Sequence, residues 1–529
     1  MARKSFLVSV FVCGILAVSL VAGCGGGGGS APGAPTGLVA TIGGVGGELV
    51  ISWTASTGAT SYNLYWGNTP GVTTTTGTKI AGAASPYSHT GLTNGTRYYY
   101  VATAVNGDGE SAASTEAGGL PQIDPVGVLD TTLGGTGYVR YLTDQGYASG
   151  IAVDGNGRSV LTGTLTIGAN TLMALWRFNA DGTPDTTFGG GDGLVTVIGA
   201  AGGTMDEGTD VAIDGSGRIV VVGYSQNLIP RSRMIIWRFL EDGSPDTAFG
   251  TSGVVSYDRG IGGDNWAEGI AIDAAGRIVV SGNTDGVAVN REMTLWRYTE
   301  AGTLDTSFAG TGVVFQGNSA GGGGIDSAWK LAINASGGIA VVGESDNPTD
   351  TDLVIWRFTD AGALDTSFGG DGIVLFDRGD GDSGFGIAFD DDSRVLVTGK
   401  SDVGAVGDLV VLRYTAAGEL DTAFSDDGIV IYDSGNNDGG DAIMMDSRQR
   451  PVIVGSSGLP AIGDTDIVLL RLTGSGAYDT SFDGDGYVIF SLASQDGANA
   501  LAFDATGRVL IAGATEEPGI VNMLLLRYE

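Results

Sequence analysis

The side chains here that could do chemistry are mostly carboxylates. Among 529 residues there are 60 Asp and Glu, 26 Lys and Arg, a single histidine, His89, and two cysteines, Cys13 and Cys24. That inventory excludes a disulfide framework, a Cys/His zinc site and a Cys/His nucleophile pair. A Ser-His-Asp triad would have to recruit His89, which falls outside the region that dominates the chain. No phosphate-binding Gly loop or haem signature appears, so no cofactor is expected. Carboxylates leave two chemistries open. Paired acids can serve as general acid and base on a glycosidic bond, and closely spaced Asp and Gly can ligate a hard cation. Asp380-Gly-Asp382-Ser-Gly has that second spacing without the rest of an EF-hand loop, so Asp380 and Asp382 are the calcium candidates. Asp483-Gly-Asp485-Gly reads first as a hairpin turn.

The formal net charge is −34, with four lysines, Lys4, Lys79, Lys330 and Lys400. A polyanion of this kind repels nucleic-acid phosphates, so no nucleic-acid partner is expected. Hydrophobic content of 42% with only 16% charged residues describes a core-rich globular chain, and 94 glycines call for many tight turns.

The N-terminus carries an address. Arg3 and Lys4 precede an apolar run, Phe6 to Ala22, which is short for a membrane span. The run ends in Leu20-Val21-Ala22-Gly23-Cys24, which resembles a bacterial lipobox. The resemblance implies that residues 1–23 are a lipoprotein signal peptide, that Cys24 is lipidated, and that the acyl chains anchor the protein to a membrane. An ordinary secretory signal cleaved near Ala22 is the alternative, but it would leave a free thiol in an oxidising compartment. Residues 24–33 form a Gly-rich tether. Gly rather than Asp after Cys24 implies export to the bacterial outer membrane or cell surface.

Residues 34–118 alternate short β-rich runs with Gly, Pro and Asn turns. Pro35, Leu38, Trp53, Tyr62, Leu64, Leu92, Asn94-Gly95-Thr96, Tyr98, Tyr100, Ala102, Asn106 and Gly109-Glu110-Ser111 fall where a fibronectin type III module places such residues. The segment resembles that family, which implies a small β-sandwich with Trp53 in its core. Residues 119–128 read as a linker.

From 129 to 529 one unit of about 60 residues recurs seven times. An LDTSF-type turn has its Asp at Asp130, Asp185, Asp246, Asp305, Asp365, Asp421 and Asp479. A hairpin of the Asp-x-x-Gly-Arg type begins at Asp154, Asp214, Asp273, Asn334, Asp390, Asp446 and Asp504. A strand closing in Arg plus an aromatic or Leu has its Arg at Arg177, Arg238, Arg297, Arg357, Arg413, Arg471 and Arg527. Each unit reads as four strands, and radial repetition of four-stranded sheets makes a β-propeller. The array starts on a fourth strand and ends on a third. Strand 137–141 should therefore pair with strand 523–528 and close the ring, removing two open edges. The pattern resembles the delta-60 repeat family of β-propellers on bacterial secreted proteins. It departs at Leu133 in place of Phe, at Asn334 in place of Asp, and at Leu412, Leu470 and Leu526 in place of Trp. The family resemblance implies a fold and no general enzymatic activity.

The fold class is therefore all-β, a fibronectin-like sandwich followed by a seven-bladed propeller. The seven arginines are expected to pair with the seven LDTSF aspartates as scaffold, since a binding site usually breaks symmetry. Function should lie where the units disagree, in loops that carry Trp266, Trp329, Asp264, Asp380 and Asp382 as ligand-binding candidates. The expected function is a monomeric, non-catalytic envelope lipoprotein displaying a propeller as a binding, adhesion or scaffold surface on a fibronectin-like spacer, with a glycan or an envelope protein as its candidate ligand. The alternative is a polysaccharide-active hydrolase or lyase using Asp carboxylates on the variable loop face or in the central channel.

Overall fold

The computed structural model describes residues 30–141, 145–228, 231–286, 290–403, 406–459, 464–517 and 519–529. The signal segment 1–23, Cys24 and most of the tether lie outside the described residues. Among those residues the chain is all strand, turn and loop, and no helix is long and apolar enough to cross a membrane.

The N-terminal sandwich has two sheets. One joins Thr36–Ile42, Leu49–Thr54 and Tyr87–His89; the other is built on Ser61–Gly67 paired antiparallel with Tyr98–Asn106. Alternation along these strands turns Leu49, Ile51, Leu64, Tyr100, Ala102 and Ala104 into a core with no solvent exposure. Trp53 is also buried, at 7% exposure, and its ring meets Tyr62 at 5.5 Å.

The propeller has seven four-stranded antiparallel blades. In the first, strands Gln145–Val153, Ser159–Ile167, Asn170–Phe178 and Leu194–Val197 pair in chain order, and the next five repeat this. The seventh is completed from the other end of the chain. Tyr138–Tyr141 pairs with Ile520–Tyr528 in the register Met523 to Tyr141 through Leu526 to Tyr138. The chain thus enters on an outer strand, and the seam is hydrogen-bonded like the fourth strand of any other blade.

Both faces of each sheet are covered by the neighbouring blades, which is why the strands read apolar on both sides. The core divides into seven clusters, each shared by two adjacent blades. The cluster that bridges the seam holds Leu510, Met523 and Leu525 against Leu161 and Trp176. The motif Trp residues, Trp176, Trp237, Trp296 and Trp356, are buried, as are Leu412, Leu470 and Leu526 at the equivalent places. Leu133 likewise fills the slot that Phe188, Phe249, Phe308, Phe368, Phe424 and Phe482 fill elsewhere, all at zero exposure.

The repeated arginines are clasps between blades. The Arg177 guanidinium lies over Phe188 at 4.4 Å, and its Nε bonds Asp185 at 2.8 Å. Its Nη1 donates to the backbone carbonyl of Glu241 in the following blade. Arg238, Arg297, Arg413 and Arg471 repeat this with Asp246, Asp305, Asp421 and Asp479, and Arg527 repeats the pairing with Asp130 but has Leu133 in the place of the Phe. For Arg471 the carbonyl comes from Pro125, ahead of the ring, so the segment expected to be a linker fills the place of the loop interrupted by the seam.

Blade four is the exception. Gly338 stands where the other hairpins carry Arg, and Asn334 replaces Asp. Without those side chains Arg357 moves away from its aspartate, to 3.9 Å from Asp365, and its guanidinium covers Phe389 at 4.7 Å. Its buried Nε and Nη1 have no hydrogen-bond partner among the described residues.

Candidate functional site

The innermost strand of each blade faces the axis, and each neighbours the innermost strand of the next blade. These strands are Gln145–Val153, Asp206–Ile213, Asn265–Ile272, Asp326–Ile333, Asp382–Phe389, Asn437–Met445 and Gln495–Phe503. All seven skip one residue in pairing with the second strand. The skipped residues are Ser149, Thr209, Glu268, Trp329, Phe385, Asp441 and Asn499. A bulge re-aims the extra side chain and leaves its backbone outside the ladder. All seven line one cavity of about 220 Å3 at the centre of the ring, joined by Tyr147, Glu207 and Lys330. The flanking positions are small and nearly constant: Ala or Gly precedes each bulge, and Ile, Leu or Val follows two residues later. The bulge residue itself differs in every blade.

Each side chain in this lumen has its own electrostatic situation. Glu207 is held by two phenols, Tyr147 at 2.6 Å and Tyr224 at 2.5 Å. Both phenols are raised by burial and by the Glu207 charge, so they stay protonated and donate. Lys330 is already committed, with its Nζ 3.0 Å from Asp210 and donating to the carbonyls of Glu268 at 3.0 Å and Thr209 at 3.4 Å. Burial pushes Glu268 up to about 7, opposed by the Lys330 charge and reinforced by Glu207. Burial alone pushes Asp441 up to about 7. The Asp441 carboxyl has no hydrogen bond or ion pair among the described residues. Trp329 and Phe385 stand side by side, ring centroids 5.8 Å apart and tilted by 59°. The Trp329 indole N–H has no hydrogen-bond partner among the described residues. Asn499 spans to the first blade through the Ala148 carbonyl at 2.7 Å.

Of the five ligand-binding candidates read from the sequence, Trp329 lies in this lumen. Trp266 belongs to the innermost strand of blade three but sits under the Arg291 guanidinium at 4.7 Å, away from the cavity lining. Asp264 accepts the Ser232 amide at 2.6 Å. Asp382 is fully buried and accepts the Arg378 amide at 2.7 Å, holding the loop that precedes its strand. Asp206, Asp326, Asp438 and Asp496 do the same for their blades. Asp380 is exposed on the Asp382 loop. Among the described residues no three His, Cys, Asp or Glu side chains gather to hold a metal ion. The residues missed by sequence reasoning are Glu207, Glu268, Lys330, Phe385, Asp441 and Asn499. Their signal was present as one variable position inside an otherwise constant strand.

Comparison with known proteins agrees with this architecture. The fibronectin type III domain model matches residues 33–118. The model of a domain of unknown function described as a DUF5122 beta-propeller matches 155–188, 215–249, 276–308 and 391–424. No curated protein matches the chain. Among solved structures, an Fn3-like protein from Clostridium thermocellum is 36% identical, covering 18% of this chain and 99% of that one, with a TM-score of 0.16. A catalytically inactive virginiamycin B lyase from Staphylococcus aureus, solved with quinupristin, aligns at 14% identity over 74% of this chain and 98% of that one, TM-score 0.44. The polysaccharide lyase Uly1 aligns at 12% identity over 72% and 90%, TM-score 0.44. The chain therefore carries a fibronectin type III domain followed by a β-propeller with repeats of the DUF5122 type.

Proposed function

We propose that this is an exported envelope lipoprotein, anchored to the outer membrane or cell surface through Cys24, whose propeller binds a ligand in its central lumen. The observation that carries the reading is the bulge ring. Units whose clasp, core and turn positions vary little, blade four's clasp apart, carry seven different side chains at the bulge position that lines the lumen. A packing role would favour repetition there, whereas a bound molecule without sevenfold symmetry needs different contacts from each blade. The ligand is a glycan or an envelope protein, the protein acts as a monomer, and no cofactor takes part. Binding to a glycan array and to envelope fractions should be lost on Trp329→Ala and on Phe385→Ala with folding intact. Binding unaffected by either change overturns the lumen as the site. Cys24→Ser should move the protein from the membrane to the soluble fraction.

A second reading is favoured by Glu268 and Asp441, whose values of about 7 suit general acid–base work. In that case the protein is a polysaccharide-active hydrolase, and Glu268→Gln would abolish turnover while leaving binding in place. A lyase fits less well, because Tyr147 and Tyr224 are held protonated and Lys330 is neutralised by Asp210.

A further inference from the structure

The lumen has more negative charge than its own cation can balance. Glu207, Glu268 and Asp441 face it, while Lys330 is tied to Asp210 and to two backbone carbonyls. The phenols on Glu207 are donors but carry no charge. Asp441 lines the cavity, half-buried, with no hydrogen bond or ion pair on its carboxyl among the described residues. Next to these acids stand Trp329 and Phe385, the only aromatic pair in the bulge ring. Carboxylates beside aromatic faces form a site for an organic cation: the acids supply the counter-charge, and the rings accept both the cation and its apolar carbons. A uronate or other anionic sugar would meet uncompensated repulsion there.

We propose that the lumen binds a primary alkylammonium group, held by Glu268 and Asp441 with its carbon chain against Trp329 and Phe385. The inference rests on the lumen being the binding site and names the chemistry that the site selects. Such an ammonium could belong to a lysine side chain, a free polyamine or a deacetylated amino sugar, and the three are separable by experiment. For a lysine side chain or a polyamine, affinity must rise with pH through about 7, because Glu268 and Asp441 gain their charges there while the ammonium keeps its own; an amino-sugar ammonium itself titrates near neutrality and gives no such rise.

The test is calorimetric titration of the full chain carrying Cys24→Ser. The probes are Nα-acetyl-lysinamide, cadaverine and a glucosamine disaccharide, with Nα-acetyl-norleucinamide and digalacturonate as neutral and acidic counterparts. At least one ammonium probe should bind, Nα-acetyl-lysinamide or cadaverine more tightly at pH 8 than at pH 5.5, and the counterparts should not. Glu268→Gln and Asp441→Asn should each weaken binding by about ten-fold or more, and Glu419→Gln on the outer surface should not. Thermal unfolding of the same variants checks that they fold. Failure of all three ammonium probes to bind at about 10 mM, or binding unchanged in both lumen variants, overturns the inference. If a neutral or acidic saccharide binds instead and Trp329→Ala abolishes it, the lumen remains the site and only its preference for cations is wrong.

Discussion

The clasps between blades and the ring around the axis are built from the same two ingredients, a carboxylate and an aromatic side chain, and they come out opposite. In the clasps each Asp faces an Arg, stacked on the motif Phe in five copies, and six of seven copies keep the pairing within hydrogen-bond distance. Among the described residues Glu268 and Asp441 form no ion pair with a guanidinium, though the Arg291 charge reaches Glu268, and they share their cavity with Trp329 and Phe385. Burial acts on both. Where a cation and local amide or hydroxyl donors answer it, as at Asp130, Asp185 and Asp479, the carboxyl ends below its ordinary value. Where nothing answers it, at Asp441, the carboxyl rises to about 7. The clasps are complete in themselves, and the lumen is complete only with something added.

The sharpest way to break that contrast is to empty a clasp. Arg471→Ala leaves Asp479 without its stacked partner and frees the Pro125 carbonyl, so it should lower unfolding free energy by about 3–5 kcal/mol in urea titrations. Arg357→Ala should cost about 1 kcal/mol, because its partners are already lost. Equal losses at both sites would show that the clasp geometry contributes nothing.

The two regions should also respond to pH in opposite directions. Lumen carboxyls raised in the folded state bind more protons than the unfolded chain between about pH 4 and 7, so their contribution to stability falls as pH rises across that window. Glu268→Gln with Asp441→Asn should therefore stabilise the protein at pH 8, by on the order of 1 kcal/mol per group, and leave it unchanged at pH 4. Clasp carboxyls are lowered, so their stabilisation is present above their unfolded values and disappears as pH falls through the folded ones. Thermal midpoints against pH for the double variant and its parent give both answers. The smallest expected effect is a repair: Asn334→Asp with Gly338→Arg restores the blade-four hairpin and should add about 1 kcal/mol. In that background Arg357→Ala should cost as much as Arg471→Ala, and a cost that stays small would mean that Arg357 is misplaced for another reason.

The ring, its seam and the buried Trp, Phe and Arg positions were legible because each is dictated seven times by the same packing need. The lumen was hidden by the bulge. Simple alternation along Asp326–Ile333 assigns every side chain after Ala328 to the wrong face, and one skipped residue restores Trp329 to the axis. Asp264 and Asp382 look like exposed ligands in sequence, but each has an oxygen that accepts a backbone amide of a nearby loop, and Asp382 is buried.

The seam has a consequence for the order of events in biosynthesis. Tyr138–Tyr141 is among the first segments of the ring to be made, and its partner, Ile520–Tyr528, is the last. Until Ile520–Tyr528 has been made, the early strand has no native neighbour, and nearly the whole propeller lies between the two halves of this pairing. Closing so long a loop costs only slowly more with length, but it cannot begin before that strand emerges. A chain cut short by a single strand therefore leaves an open edge on the last blade and another on the segment that should have covered it, which makes premature termination an aggregation hazard out of proportion to the residues lost.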